Sequence, residues 1–196
     1  GIGYADFDGG DFLYSTRARG NVSSGKMGGV TLTQENFTIS VVIDNDVPAP
    51  SALKYYFSWT DASRASSAFG ISSANRAAWL PTAGSLPHIS SATAYSGTPE
   101  FWTIVGGTAS VAGSDVQTLA FYQNGVLKAT DTTDLSAMNR VLTADDADIN
   151  FYLGYWSGSA SDSFDGRIYE FVQYNKALSS LQLAQLHGYY ASKYNI

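Results

Sequence analysis

The chain has 196 residues, 44% of them hydrophobic and 14% charged, with a net charge of −6 at pH 7. This length can bury one sizeable core, and the acidic balance without any Lys/Arg cluster argues against a nucleic-acid partner. The chain has no cysteines, which excludes disulfides and thiolate metal sites, and no apolar run reaches the ~18–20 residues needed for membrane insertion.

Short segments rich in aromatic and β-branched residues recur along the chain and predict β-strands. The predicted strands are Tyr4–Phe7, Phe12–Tyr14, Phe37–Ile43, Leu53–Trp59, Phe101–Val105, Thr118–Gln123, Val126–Thr130, Asn150–Tyr155 and Arg167–Tyr174. The clearest hairpin surrounds Asn124-Gly125, because this pair favours the positive φ angles of a type I′ turn. Residues 75–100 are rich in Pro, Ser and Thr and predict long loops, with one strand near His88–Tyr95.

The last predicted strand has large apolar side chains on both faces, since Ile168 and Val172 alternate with Tyr169 and Phe171. Such a strand should be covered on one side by the opposing sheet and on the other by the segment that follows it. That segment is the one convincing helix pattern of the chain.

The helix prediction depends on local signals around Ser179. Ser179 and Gln182 have the spacing of a capping box, and Leu178 and Leu183 have that of a hydrophobic staple. The apolar stripe then continues to Tyr190 at helical spacing. We therefore expect one short C-terminal helix on an otherwise β-patterned chain.

Several segments, taken in order, resemble laminin G-type domains of the concanavalin A-like superfamily. They are Phe7–Leu13, Glu35–Val41, Phe101–Val105, Phe121–Leu127, Tyr152–Gly154 and Phe164–Glu170, continuing through Tyr174–Ser179 into the helix. The resemblance implies an all-β, two-sheet antiparallel jelly-roll β-sandwich with adjacent first and last strands, in which residues 1–196 form one domain. Residues 60–100 depart from the family pattern. Because the chain starts at Gly1 without a signal-type segment, we expect it to be part of a larger protein.

The resemblance implies a recognition or adhesion module and does not imply an enzyme. Hydrolytic relatives carry Glu-x-Asp-x-Glu on one strand, and a retaining glycosidase needs two carboxylates about 5–5.5 Å apart. Here Glu35, Glu100 and Glu170 have no acidic neighbour two or four residues away. Glu170 matches a recurrent family glutamate, for which a structural role is the preferred interpretation. We expect no catalytic residues.

Two histidines, His88 and His187, offer no nucleophilic triad and no zinc site. His187 lies beside the apolar stripe of the helix, so we expect it to have a structural or surface role. His88 lies in the Pro-rich region, where a ligand contact is the alternative to a solvated loop position.

Calcium is the metal that the acidic clusters would suit, because it takes oxygen ligands from loops. One cluster is formed by Asp44 and Asp46, and the other by Asp145, Asp146 and Asp148. Neither has EF-hand spacing, so turn and capping roles are the preferred interpretation, and no cofactor is required.

Aromatic side chains beside loops are the candidate ligand site, because sugar rings stack their C–H faces on Trp and Tyr. The candidates are Trp79, Tyr95, Tyr155, Trp156 and Asp162, the last as a hydrogen-bonding group. Trp102 and Trp59 lie within predicted strands and are expected to pack in the interior.

The leading hypothesis is a non-catalytic, lectin-like domain that binds a glycan or a surface protein. It would be extracellular, displayed on a cell surface or a virion. The alternative is a structural or protein-interaction module that contacts neighbouring subunits of a phage capsid, a phage tail or a cell-wall assembly. A third hypothesis, a diverged glycanase or lyase, would depend on Glu170.

Overall fold

A computed structural model describes most of the predicted elements. The residues described are 3–9, 13–15, 26–27, 30–31, 36–46, 53–60, 65–72, 77–80, 88–89, 99–111, 114–134, 150–155, 163–174 and 176–196. The elements are β1 (Ala5–Asp8), β2 (Leu13–Ser15), β3 (Lys26–Met27), β4 (Val30–Thr31), β5 (Phe37–Asn45), β6 (Lys54–Thr60), β7 (Ala65–Ile71), β8 (Ala77–Leu80), β9 (His88–Ile89), β10 (Glu100–Val111), β11 (Ser114–Gln123), β12 (Val126–Asp134), β13 (Asn150–Leu153), β14 (Asp165–Tyr174) and α1 (Ser180–Tyr194).

The strands form two six-stranded antiparallel sheets and a small pair, β3–β4. The first sheet has the order β1-β14-β5-β10-β11-β12, and the second has the order β2-β13-β6-β7-β8-β9. The first and last strands are adjacent, with Ala5 opposite Ile168. The predicted jelly-roll sandwich with a C-terminal helix is confirmed, and α1 is the one α-helix among the described residues. In the part of the chain that the structure describes, no helix is long and apolar enough to cross a membrane.

The second sheet contains two strands that the sequence did not predict, β7 and β8. Strand β8 lies where loops were predicted, so that prediction was wrong for 77–80. These segments are rich in Ala and Ser and have weak intrinsic β-propensity, so their strand conformation depends on pairing with neighbours such as Phe57 opposite Phe69. The predicted strand near His88–Tyr95 is described only at His88–Ile89, and 90–95 lie outside the described residues.

The core lies between the two sheets and is strongly aromatic. Phe57 of the second sheet contacts Phe171 of β14 with ring centroids 4.9 Å apart, and Trp102 is only 3% exposed, as predicted. The buried members of this core are Phe7, Phe37, Ile39, Val41, Ile43, Tyr56, Phe57, Phe69, Ile71, Trp102, Ile104, Leu119, Phe121, Phe164 and Ile168.

Helix α1 covers the outer face of the first sheet, where Tyr190 and Tyr194 pack with Val42 and Phe101. Strand β14 is therefore covered on both faces, as predicted, but the predicted alternation of its side chains was wrong. The register shift between Ile168 and Glu170 places Ile168 and Phe171 toward the core, and Tyr169 and Val172 toward the helix. The capping box is also confirmed. The Ser179 hydroxyl accepts from the Gln182 backbone N–H at 3.4 Å, and Gln182 Oε1 accepts from the Ser179 backbone N–H at 3.1 Å.

Candidate functional site

A glycine turn at the end of β13 positions Tyr155. Gly154 has φ of +77°, and a Cβ at this residue would lie 2.5 Å from Cδ1 of Phe7. Only glycine fits this conformation and this close approach to the core. The turn ends β13 and directs the next residue toward β6.

Two backbone hydrogen bonds tie this turn to the sandwich. The Gly154 N–H donates to the Tyr56 carbonyl at 2.9 Å, and the Phe164 N–H donates to the Gly154 carbonyl at 2.8 Å. Phe164 is itself fully buried, with its ring 5.2 Å from that of Tyr56. Gly154 and Phe164, which flank residues 155–163, here named the 155–163 segment, are therefore hydrogen-bonded to each other and, through Gly154, to β6.

Tyr155 lies on the face of the second sheet that points away from the core. Its carbonyl accepts from the Ser58 hydroxyl at 2.7 Å, and its ring is 5.5 Å from that of Tyr152, inclined by 60°. Ser58 pairs with both Tyr152 and Ala68, on the face opposite to that of the core residue Phe57. The two rings of Tyr152 and Tyr155 are half-buried and pack against each other where the 155–163 segment begins.

The other predicted ligand residues are less fully described. Trp156 and Asp162 belong to the same 155–163 segment, but they lie outside the described residues, as does Tyr95. The backbone of Trp79 lies in β8 opposite Phe69, and its side chain is outside what the structure describes. Three of the five candidates, Tyr155, Trp156 and Asp162, belong to this one stretch of sequence, and the roles of all five stay predictions.

The first acidic cluster has a structural partner. Asp44 Oδ2 lies 3.3 Å from Nη1 of Arg167, and the backbone N–H of Asp46 donates to the Asp165 carbonyl at 3.1 Å. Within the described ranges, no three His, Asp or Glu side chains are grouped so that they could hold a metal ion. The second cluster, Asp145, Asp146 and Asp148, lies outside those ranges, so its calcium hypothesis stays a prediction.

Glu170 links β14 to the helix. Its Oε2 accepts from Lys193 Nζ at 2.7 Å and from the Tyr194 hydroxyl at 2.8 Å. Burial, and then the nearby Glu170 carboxylate, raises the pKa of Tyr194 to about 12. These contacts agree with a structural role for Glu170.

His187 is also part of the helix–sheet contact. Its ring is buried against Phe101, at 5.2 Å, and its Nε2 lies 3.2 Å from the Thr103 hydroxyl. Burial lowers the pKa of His187, so the neutral imidazole is favoured in the folded protein. Both contacts hold the helix on the sheet.

Sequence analysis did not single out Glu100, which is a buried carboxylate. Its side chain has no solvent exposure, its Oε1 accepts from Trp102 Nε1 at 2.6 Å, and its Oε2 accepts from Gln123 Nε2 at 2.6 Å. Burial raises the pKa of Glu100 to about 6. The i, i+2 spacing of Glu100 and Trp102 in a strand was the only available signal, because it places both on one face.

The comparisons with known proteins agree with this architecture. A family model described as the Concanavalin A-like lectin/glucanases superfamily matches residues 19–184. A sequence search of curated proteins found no match.

Solved structures with 15–20% identity share the fold. A CBM40 domain of the Ruminococcus gnavus IT-sialidase, bound to α2,3-sialyllactose, is 19% identical with a TM-score of 0.55, over 79% of this chain and 83% of that one. The SAP-like pentraxin of Limulus polyphemus is 15% identical with a TM-score of 0.52, over 78% of this chain and 70% of that one. A leech intramolecular trans-sialidase is 20% identical with a TM-score of 0.57, over 94% of this chain but only 27% of that one.

The family model covers most of the chain, and the two antiparallel sheets with their C-terminal helix have the architecture of these solved domains. The chain therefore belongs to the concanavalin A-like lectin/glucanase superfamily.

Proposed function

We propose that this domain is a non-catalytic glycan-recognition module and that Tyr152 and the 155–163 segment form its binding site. The observation that carries the proposal is the packed Tyr152–Tyr155 pair at the start of a segment whose flanking residues, Gly154 and Phe164, are hydrogen-bonded to each other.

The chemistry of the segment suits a saccharide. Its sequence, Tyr-Trp-Ser-Gly-Ser-Ala-Ser-Asp-Ser, combines two aromatic rings for stacking with hydroxyls and one carboxylate for hydrogen bonds to sugar hydroxyls. The net charge of −6 favours an uncharged glycan over an acidic one. The sialyllactose-bound CBM40 domain supports carbohydrate binding as a use of this fold.

A glycan array followed by titration calorimetry tests the proposal. Trp156→Ala and Tyr155→Ala should each weaken the binding of a saccharide by roughly 5- to 150-fold, taking for a stacked sugar ring the ~1–3 kcal/mol that base–aromatic stacking contributes. Tyr4→Ala is the matched control, because Tyr4 is an exposed tyrosine (54%) on the first sheet, next to Tyr169. The absence of binding across neutral and sialylated arrays would contradict the proposal.

The non-catalytic part of the proposal is supported by the surroundings of two glutamates. Glu100 is buried and hydrogen-bonded to Trp102 and Gln123, and Glu170 is hydrogen-bonded to Lys193 and Tyr194, so both carboxylates have intramolecular partners. Polysaccharide turnover that Glu170→Gln abolishes would contradict it. A role outside the cell, on a cell surface or on a virion, is the setting in which we propose this recognition takes place.

One observation favours the second candidate function, a structural or interaction module in a larger assembly. Val126 and Leu127, beside the β11–β12 turn, are 56% and 51% exposed, and Leu181 on the helix is 69% exposed. If a neighbouring subunit covers these residues, the interface between the two subunits should bury well above ~1,000 Å² of accessible surface. A monomer with a sugar bound at Tyr155 would argue against this alternative.

A further inference from the structure

The Glu100 carboxylate occupies a site built for its ionised form. Each of its oxygens accepts one N–H donor, from Trp102 and from Gln123, and both distances are 2.6 Å. Distances this short are typical of charge-assisted hydrogen bonds. A carboxylic acid would carry a proton that needs an acceptor, and neither of the two groups in contact presents one in this orientation.

Four elements supply the groups around this carboxylate. Trp102 of β10 and Gln123 of β11 donate hydrogen bonds, Asp44 of β5 adds a negative charge, and Lys128 of β12 adds a positive one. Burial is the largest influence and outweighs the two donors, so the pKa of Glu100 rises from 4.5 to about 6. The carboxylate therefore changes its charge in mildly acidic solution.

We propose that Glu100 and Gln123 form a proton-operated switch with two hydrogen-bonded states, which couples the interior of the sandwich to the β11–β12 turn. In the ionised state, Gln123 Nε2 donates to Glu100 Oε2. In the protonated state, Oε2 has taken a proton from solvent and donates it to Gln123 Oε1, which requires the Gln123 amide to turn over. The bond from Trp102 to Oε1 is kept in both states.

The change at Gln123 reaches the turn through the backbone. Gln123 is followed by Asn124, whose N–H donates to the Phe101 carbonyl at 2.9 Å and whose Oδ1 accepts from the Phe101 N–H at 2.9 Å. Residues 100–101 and 123–124 are thus joined by side-chain and backbone bonds into one unit. Asn124 and Gly125 lie between Gln123 and the exposed Val126 and Leu127, so their backbone amides are the probes of a change in the hydrogen bonds of Gln123.

The test is an NMR titration of the whole domain labelled with ¹³C-glutamate and ¹⁵N, from about pH 4 to 8. The chain has only three glutamates, so Glu100→Gln identifies the Glu100 carboxyl signal. We expect this carboxyl to titrate near pH 6, and the amides of Asn124 and Gly125 to shift with the same midpoint. In Glu100→Gln, the two amides should lose this transition, whereas Glu170→Gln, on the outer face of the sheet, should keep it.

His187 also lies against Gly125, so the titration is repeated in His187→Gln. A transition of the turn amides that survives in this variant supports Glu100 as its source, and one that disappears overturns the proposal. A Glu100 carboxyl that titrates at the ordinary value of about 4.3, or turn amides that do not follow it, also overturns the proposal. Glu35→Gln and Glu170→Gln identify the other two carboxyl signals and therefore that of Glu100, so these two results decide the question even if Glu100→Gln does not fold.

Discussion

His187 Nε2 lies 3.2 Å from the Thr103 hydroxyl, so the C-terminal helix and the central strand β10 share a buried polar contact. The contact continues inward, because the Thr103 and Ser40 hydroxyls are 2.8 Å apart and Ser40 Oγ donates to the Trp102 carbonyl at 3.0 Å. This short network satisfies polar groups that would otherwise be buried at a cost between the helix and the sheet.

The lowered pKa of His187 predicts a loss of stability in acid. Because burial disfavours the charged ring in the folded state, the unfolded chain takes up this proton first as the pH falls through 6.5, and unfolding is then favoured. Urea unfolding above and below pH 6.5 measures this loss of stability. The loss should be smaller in His187→Gln than in the unmodified protein. His88→Gln removes the only other histidine and serves as the control, and an equal change in both variants would contradict the assignment to His187.

Replacing glycine by alanine should have opposite effects on the stability of the domain at Gly154 and at Gly188. Gly154→Ala should destabilise the domain by about 2–4 kcal/mol, because a Cβ at a φ of +77° is strained and would also overlap Phe7. Gly188→Ala should instead stabilise it by about 0.5–1 kcal/mol, since Gly188 is within the helix with open space around it. Denaturant midpoints of the two variants measure the difference, and a neutral Gly154→Ala would show that the turn is not constrained.

The capping box predicts that variants of Ser179 and Gln182 lose a modest amount of stability and that the two losses are coupled. Ser179→Ala should cost about 1 kcal/mol, because the Gln182 N–H loses its acceptor at the first turn of the helix. Gln182→Ala removes the reciprocal bond to the Ser179 N–H. In a double-mutant cycle, the two losses should not add fully, and simple additivity would argue that the two bonds act independently.

The Glu170–Lys193 ion pair is expected to contribute to the stability of the domain, by an amount that falls as the salt concentration rises. Lys193 Nζ lies 2.7 Å from Glu170 Oε2 and 5.1 Å from the ring centroids of both Tyr189 and Tyr194. Glu170→Gln should lower the thermal midpoint at low salt and have less effect at high salt, because the pair is partly exposed to solvent. Lys176→Met, at an exposed lysine outside this cluster, is the control, and a loss that does not change with salt would contradict an electrostatic origin.

Features encoded by neighbouring residues were predictable from the sequence. The capping box depends on two residues three positions apart, and the hairpin depends on Asn124 and Gly125, which adopt φ of +47° and +80°. The doubly covered strand β14 was also predictable, because its apolar residues occupy both faces. The order of these local patterns was sufficient for the fold class.

Features that depend on distant pairing were not predictable in this way. Strands β7 and β8 are short and contain only one β-branched residue, Ile71, so they are defined by the pairing of β7 with β6 and of β8 with β7. Glu100 meets Gln123 across 23 positions, and His187 meets Thr103 across 84. At the candidate site, the sequence identified Tyr155 but not the roles of Gly154 and Ser58, which position it.

The strand order of the first sheet has a consequence for synthesis on the ribosome. Strand β14 lies between β1 and β5, so the N-terminal strand has no partner in this sheet until the C-terminal strand has been made. At ~5–20 residues per second, β1 would wait roughly 8–30 s beside an incomplete sheet. The edge of β5 that pairs with β14 is open for roughly 6–27 s, which makes the nascent chain a natural client for chaperones that shield unpaired strands.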